Sequence, residues 1–250
     1  MTFATRIWQV SIVVLMFGAW AIAAAQSPTM HDVVGDPVAV MTQVAALIRS
    51  GEIFRHLAVT IEEAVVGFAA GSALGAATAF LLTFVPFLRR LFDPLIGIVS
   101  VVPRIVLAPV FMVWFGLGIS SKAAMVATIV FFIVYFNVDA GLRSVSGVLV
   151  DRARVMGANK LAMMREIYIP ASVVWILSGL RVSVGFAFLG AIVAEYLGAN
   201  AGIGSLVATA QSLNDPNAVM AGLVIVLIIV VPLDRVLTFI EARTTAWRGT

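Results

Sequence analysis

The chain has 250 residues, 62% of them hydrophobic and only 12% charged, with a mean hydropathy of +1.08. A soluble domain carries roughly 25% charged residues, so this apolar excess cannot all be hidden in an aqueous core, and the solvent is lipid. The net charge of +3 and pI near 9.8 come from basic residues scattered between apolar runs, a pattern of loops at anionic lipid rather than of nucleic-acid binding.

The absence of cysteine excludes disulfides and thiol chemistry. The two histidines, His31 and His56, follow the first apolar segment and read as solvated or interfacial; no metal site is expected.

Apolar runs occur at about 7–25, 57–85, 94–118, 123–142, 171–197 and 217–239. Each approaches the ~20 residues that a helix needs to cross ~30 Å of hydrocarbon. Backbone groups in lipid must satisfy one another, and no run alternates like a barrel strand, so the expected fold class is all-α, a polytopic membrane protein of about six transmembrane helices.

The first run, with Arg6 before it and small residues before Gln26, has features of a signal peptide. It is long for one and is expected to be a retained helix. The polar stretch from Gln26 to His56 holds Pro28, Pro37 and an amphipathic segment over Val38–Ile48, expected on the outer membrane face. In the second run Gly67, Gly71 and Gly75 recur every fourth residue, giving a face for close helix approach within one subunit or between two. Pro103 and Pro109 predict a kinked or discontinuous third helix.

Lys and Arg set the orientation. With the N-terminus inside, the inner side holds Arg6, Arg89, Arg90, Arg143, Arg152, Arg154, Lys160, Arg165, Arg235, Arg243 and Arg248, against Arg49, Arg55 and Lys122 outside. Both termini are therefore expected in the cytoplasm. The chain reads as a single permease-like domain over 1–250. Residues 1–56 supply the first helix and external segment, and 57–250 a core with an inner loop at 143–170.

That loop is the most informative stretch. Asp151 is expected to cap a short helix with Ala153, Val155 and Met156 on its apolar face, and Gly157 permits a bend. A second short helix offers Leu161, Met164 and Ile167, and Pro170 opens the next span. Two short helices with apolar and basic faces, exposed to the cytosol, suit a groove on a partner protein.

The loop resembles the E-A-A-x3-G-x9-I-x-L-P motif of binding-protein-dependent ABC importer permeases. Asp151 stands at the Glu, Ala153 at the second Ala, Gly157 at the Gly, Ile167 at the Ile and Pro170 at the Pro; Arg152 replaces the first Ala and Ile169 the Leu. Asp93-Pro94, Val102-Pro103, Ala108-Pro109, the run from Trp114 to Gly118, Ser121-Lys122, Gly179 to Arg181, Ala194-Glu195 with Gly198, Gly202 to Gly204, and Glu241 to Trp247 look like the nitrate, sulfonate, taurine and thiamine-pyrimidine-precursor branch. Glu63 and Ile133 depart from that branch, where Arg and Pro are frequent.

The resemblance implies a type I, MetI-like fold, a homodimeric pore, coupling helices at the loop, cytoplasmic ATPase subunits that bind ATP and Mg, and an extracytoplasmic solute-binding protein. It places the chain in a bacterial inner membrane.

Charged groups within spans need their own account, because each costs roughly 2.5–3.5 kcal/mol on insertion scales. Glu62 and Glu63 lie near an outer helix end and are expected to reach water. Arg181 and Glu195 are 14 residues apart, about 21 Å along a helix, too far to pair within it. Arg104 beside Pro103, Arg181 and Glu195 are candidates for the translocation path, the two arginines favouring anionic solutes; pairing at an interface or between helices is the other reading.

No GxxxxGK[ST] cradle occurs and no nucleophile–base–orienter set is legible, so a non-catalytic transport subunit with no cofactor of its own is expected. The rival reading is an ion-gradient-driven transporter working through Glu62, Glu63 or Glu195.

Overall fold

The computed structural model describes residues 3–26 and 35–244; Pro28, His31, Trp247 and Arg248 lie outside them. Among the described residues there is helix and no strand. The helices run α1 (Phe3–Gln26), α2 (Pro37–Ser50), α3 (Glu52–Phe84), α4 (Pro86–Val101), α5 (Ala108–Phe115), α6 (Ile119–Arg143), α7 (Gly147–Val155), α8 (Lys160–Met163), α9 (Ile169–Gly198), α10 (Ile203–Ser212) and α11 (Pro216–Thr244). A 3-10 turn at Arg104–Leu107 precedes α5, and a π turn at Met164–Tyr168 joins α8 to α9.

Three helical stretches among the described residues are long and apolar enough to cross a membrane: α3, α6, and Lys160–Ser212, which contains α9. The third expected span is a bent pair, with Pro86–Val101 and Arg104–Phe115 meeting at 92°. The break falls at Val102-Pro103, where both residues are extended. Proline lacks an N–H and disfavours helix at the residue before it, so the chain turns there. Pro109 sits in the first turn of α5, where a missing N–H costs nothing. The first and last expected spans correspond to α1 and α11.

Helix α6 is the central element, packed between α3 and α9. Val126, Val130, Val134 and Val138 form its buried stripe at four-residue spacing, against Ala64, Ala79 and Leu82 of α3 and Ala187 and Ala191 of α9. In lipid the apolar drive between helices is lost, and close van der Waals approach takes its place. The glycine face supplies it within the chain. A Cβ on Gly67 would meet Val126 Cβ at 2.5 Å, on Gly71 the Ala127 carbonyl oxygen at 2.5 Å, and on Gly75 the Phe131 carbonyl oxygen at 2.6 Å.

The segment expected on the outer face forms α2, capped by the Asp36 side chain accepting from Ala39 N–H at 2.8 Å. Its Val40 and Val44 pack with Ala221 and Ile225 of α11 and with Ile203.

Three sequence expectations are corrected. His56 is buried rather than solvated. Glu63, expected to reach water, is 2% exposed. Lys122, counted in an outer loop, is fully buried in the first turn of α6, where its Nζ donates to the Leu117 carbonyl oxygen. His56 is paired with Gly202 and Lys122 with Leu117, and Glu63 is buried near Lys122 and Glu195, so these polar groups gather where hydropathy along one helix suggests a water-facing end.

Candidate functional site

The loop at 143–170 is built from two local stop and start signals. Helix α7 begins at Gly147 after Ser146, whose backbone is non-helical. Asp151 therefore lies within the helix, paired with Arg154 at 3.4 Å on an exposed face, and does not cap it. The helix starts ahead of the expected position, and Val150, buried at the base of the loop, lies in the added stretch.

Gly157 ends the helix at φ +85°, with its N–H on the Arg154 carbonyl and the Ala158 N–H on the Ala153 carbonyl, both at 2.9 Å. This is a Schellman motif, and glycine meets its left-handed φ without steric cost. Asn159 then caps α8, accepting from Ala162 N–H at 2.8 Å. Pro170 lies in the first turn of α9, directly after the π turn. Its missing N–H removes a rung of the regular ladder, and the wider π turn carries the backbone across the gap.

The tip of this loop is apolar and bare. Val155 is 90% and Met156 87% exposed. They line a shallow concavity of about 450 Å³ with Val148, Asp151 and Arg152. Ala153 and Ile167 are half-buried, whereas Leu161 is exposed. Tyr168 packs edge-on against Phe84 at 5.2 Å, fastening the far side of the loop to the end of α3.

Beside the loop stands a closed ionic ring that the sequence reading missed. Arg89 meets Asp139 at 2.5 Å and Asp93 at 3.3 Å; Arg143 meets Asp139 at 2.7 Å and Asp93 at 3.2 Å. Tyr135 adds its hydroxyl to Asp93 at 3.2 Å. Arg89/Asp93 and Asp139/Arg143 are each four apart on a helix, a spacing that signals pairing. The cross-pairs join the first turns of α4 to the last turn of α6, where the loop departs.

At the opposite end of α9, Gly202, Ile203 and Gly204 open α10 with three successive N–H groups. Gly202 donates to His56 Nδ1 at 3.0 Å, Ile203 to Thr60 Oγ1 at 3.0 Å and Gly204 to Glu195 Oε2 at 2.7 Å. These are the donors a helix start leaves unpaired, and side chains of α3 and α9 satisfy all three. Glu195 is fully buried in this junction, so it faces the helix start. Arg104 lies half-buried with its guanidinium 4.7 Å from the centre of the Phe132 ring. Arg181 sits on an exposed face of α9. Among the described residues, no group of three or more acidic or histidine side chains could hold a metal ion.

Comparison with known proteins gives this arrangement a family. Residues 67–246 match the binding-protein-dependent transport system inner membrane component family. The chain is 32% identical to SsuC of Bacillus subtilis (strain 168), named for aliphatic sulfonate transport, over 94% of this chain and 85% of that one. It is 27% identical to the taurine transport system permease protein TauC of Escherichia coli (strain K12), over 79% and 72% of the two chains. It is 34% identical to the formylaminopyrimidine transport permease protein ThiX of Halalkalibacterium halodurans, over 60% of each.

Among solved structures, a chain of the MetNI methionine ABC transporter in an inward-facing conformation superposes with a TM-score of 0.62 at 18% identity. The match covers 82% of this chain and 96% of that one and establishes a shared fold. With the family match spanning most of its length, the chain belongs to the binding-protein-dependent transport system inner membrane components, as a membrane-spanning permease subunit.

Proposed function

We propose that two copies of this chain form the pore of an ATP-driven importer, that residues 143–170 dock on a cytoplasmic ATPase subunit, and that a binding protein delivers the solute from outside. The observation that carries the docking reading is the bare apolar pair Val155 and Met156 at the loop tip, flanked by Asp151 and Arg152. Large apolar side chains on a water-facing loop are costly unless a partner covers them. The excess of Lys and Arg on that side of the sequence supports a cytoplasmic loop and cytoplasmic termini.

In this mechanism the chain performs no chemistry. ATP and Mg act at the partner, and closure of the partner subunits moves the loop. The ionic ring and the unbroken helix from α8 through the π turn into α9 pass that movement to the pore. The substrate class we propose is a small organic anion, in keeping with relatives named for aliphatic sulfonates and taurine; a pyrimidine precursor is the second candidate. Arg104 and Arg181 would then supply positive potential along the path. Family membership favours this reading over the ion-gradient-driven one.

The chain has no cysteine, so Met156→Cys gives a unique label. Cross-linking of that position to a co-expressed ATPase subunit, with Met156→Asp lowering its co-purification at least tenfold, is the expected result. Normal assembly and uptake in Met156→Asp would remove the docking role.

A further inference from the structure

Within the junction at the start of α10, three charged side chains from three helices meet out of reach of water. Glu63 of α3 is 2% exposed, and Glu195 of α9 and Lys122 of α6 are fully buried. The two carboxyl groups are neighbours in this junction, and Lys122 interacts electrostatically with both. The other titratable neighbours are Glu62 and His56, both on α3; His56 accepts from Gly202 N–H and stands 3.7 Å from the exposed Glu52. Helix α10 brings only backbone.

A count of donors leaves a specific gap. Glu195 Oε2 accepts from Gly204 N–H, but Glu195 Oε1 and Glu63 Oε2 are buried with no donor. Ionised carboxylates only accept, so two of them side by side cannot satisfy each other. Their charges also repel at short range in a medium that screens poorly. With both ionised, Lys122 would balance only one of the two negative charges.

We propose that Glu63 and Glu195 hold a single proton between them, so that the pair carries one negative charge and Lys122 neutralises it. The proton turns one of the orphaned oxygens into the donor the other lacks, leaving a neutral triad inside the membrane domain. Its work is positional. It keeps one Glu195 oxygen fixed on Gly204 N–H and so holds α10 against α3 and α9. Glycine at 202 and 204 fits this purpose, because a Cβ at either position would overlap the Glu195 carboxyl or the Ile192 carbonyl oxygen. The junction is thus a proton-holding site, separate from the loop and not dependent on the solute carried.

Infrared spectroscopy of the full-length permease complex in lipid, with 13C-labelled glutamate, tests this directly. At neutral pH the wild type is expected to show a protonated-carboxyl C=O band that shifts with the label and in D2O. Glu63→Gln and Glu195→Gln should each abolish it, while Glu62→Gln on the adjacent exposed position leaves it unchanged. Glu63→Gln should fold in wild-type yield, since its amide N–H replaces the proton, whereas Lys122→Met should lower yield severalfold and Lys122→Met with Glu195→Gln should recover it. Absence of a glutamate carboxyl band in the wild type, or its persistence in both folded Gln variants, would overturn the proposal. If neither Gln variant folds, the labelled wild-type spectrum still decides.

Discussion

The Arg89 guanidinium meets the Asp139 carboxylate at 2.5 Å, across fifty residues of sequence, and so joins the first turn of α4 to the last turn of α6. Asp139 is buried and also holds Arg143 at 2.7 Å. Removing the acid leaves Arg89 facing inward without its closest partner. For a fully buried pair such a loss costs about 3–5 kcal/mol; partial exposure of both arginines reduces this to about 2 kcal/mol. Asp139→Ala should therefore lower the thermal midpoint of the detergent-solubilised protein, and Asp139→Glu should recover part of it.

The glycine face of α3 makes a sharp size prediction. At Gly71 a Cβ would meet the backbone of α6, which cannot move aside as a flexible side chain could. Gly71→Leu is expected to cost at least about 3 kcal/mol, the upper range for overpacking, and to abolish the monodisperse peak in size-exclusion chromatography. Gly97, with nothing within 4 Å of an added Cβ, is the control: Gly97→Ala should elute like the wild type.

At the α10 junction, Thr60→Val keeps the shape of the side chain and removes the acceptor for Ile203 N–H. An unsatisfied buried donor costs about 1–3 kcal/mol. Hydrogen exchange at Ile203 should accelerate correspondingly, with little change in the α7–α8 loop.

Gly157 separates local strain from docking. Its φ of +85° costs a residue with a Cβ about 1–2 kcal/mol, and asparagine tolerates that region better than most residues. Gly157→Val should assemble in the membrane yet lose most solute-dependent ATP hydrolysis by the reconstituted complex, while Gly157→Asn should keep a larger share. Equal activity of both variants with wild type would contradict a role for the loop geometry.

Arg104 carries the anion prediction. Its stacking on Phe132 contributes on the order of 1 kcal/mol, so Arg104→Gln should leave folding nearly unchanged. Uptake of a sulfonate by the reconstituted transporter should nevertheless fall severalfold, and more steeply when Arg181→Gln is added.

How far the sequence carried the reading depended on whether the signal was local. The break at Pro103, the glycine face of α3 and the turn at Gly157 follow from what single residues permit of the backbone, and all three stand where the residues placed them. The helix start at Ser146, ahead of Asp151, was missed because Ser146 makes no side-chain capping bond and the added turn is marked instead by burial of Val150 in the fold.

Lys122, Glu63 and His56 were misplaced for a different reason. Hydropathy dips at a buried polar node just as it does at a water-facing helix end, and only the approach of a second helix distinguishes the two. The ionic ring had a legible half, the two i,i+4 pairs, but its cross-pairs required knowing that α4 and α6 meet.

Between Lys160 and Gly198 the backbone is helical without interruption, through α8, the π turn and α9. At 1.5 Å per residue, α9 alone is roughly 45 Å long. A displacement applied at Leu161 has no slack segment to absorb it before Glu195, and the π turn alone can take up a change in winding. The chain thus has a continuous rod with one more loosely wound turn near its loop end, and under the docking proposed above a tug on the loop would arrive at the far end as a tilt or a swivel.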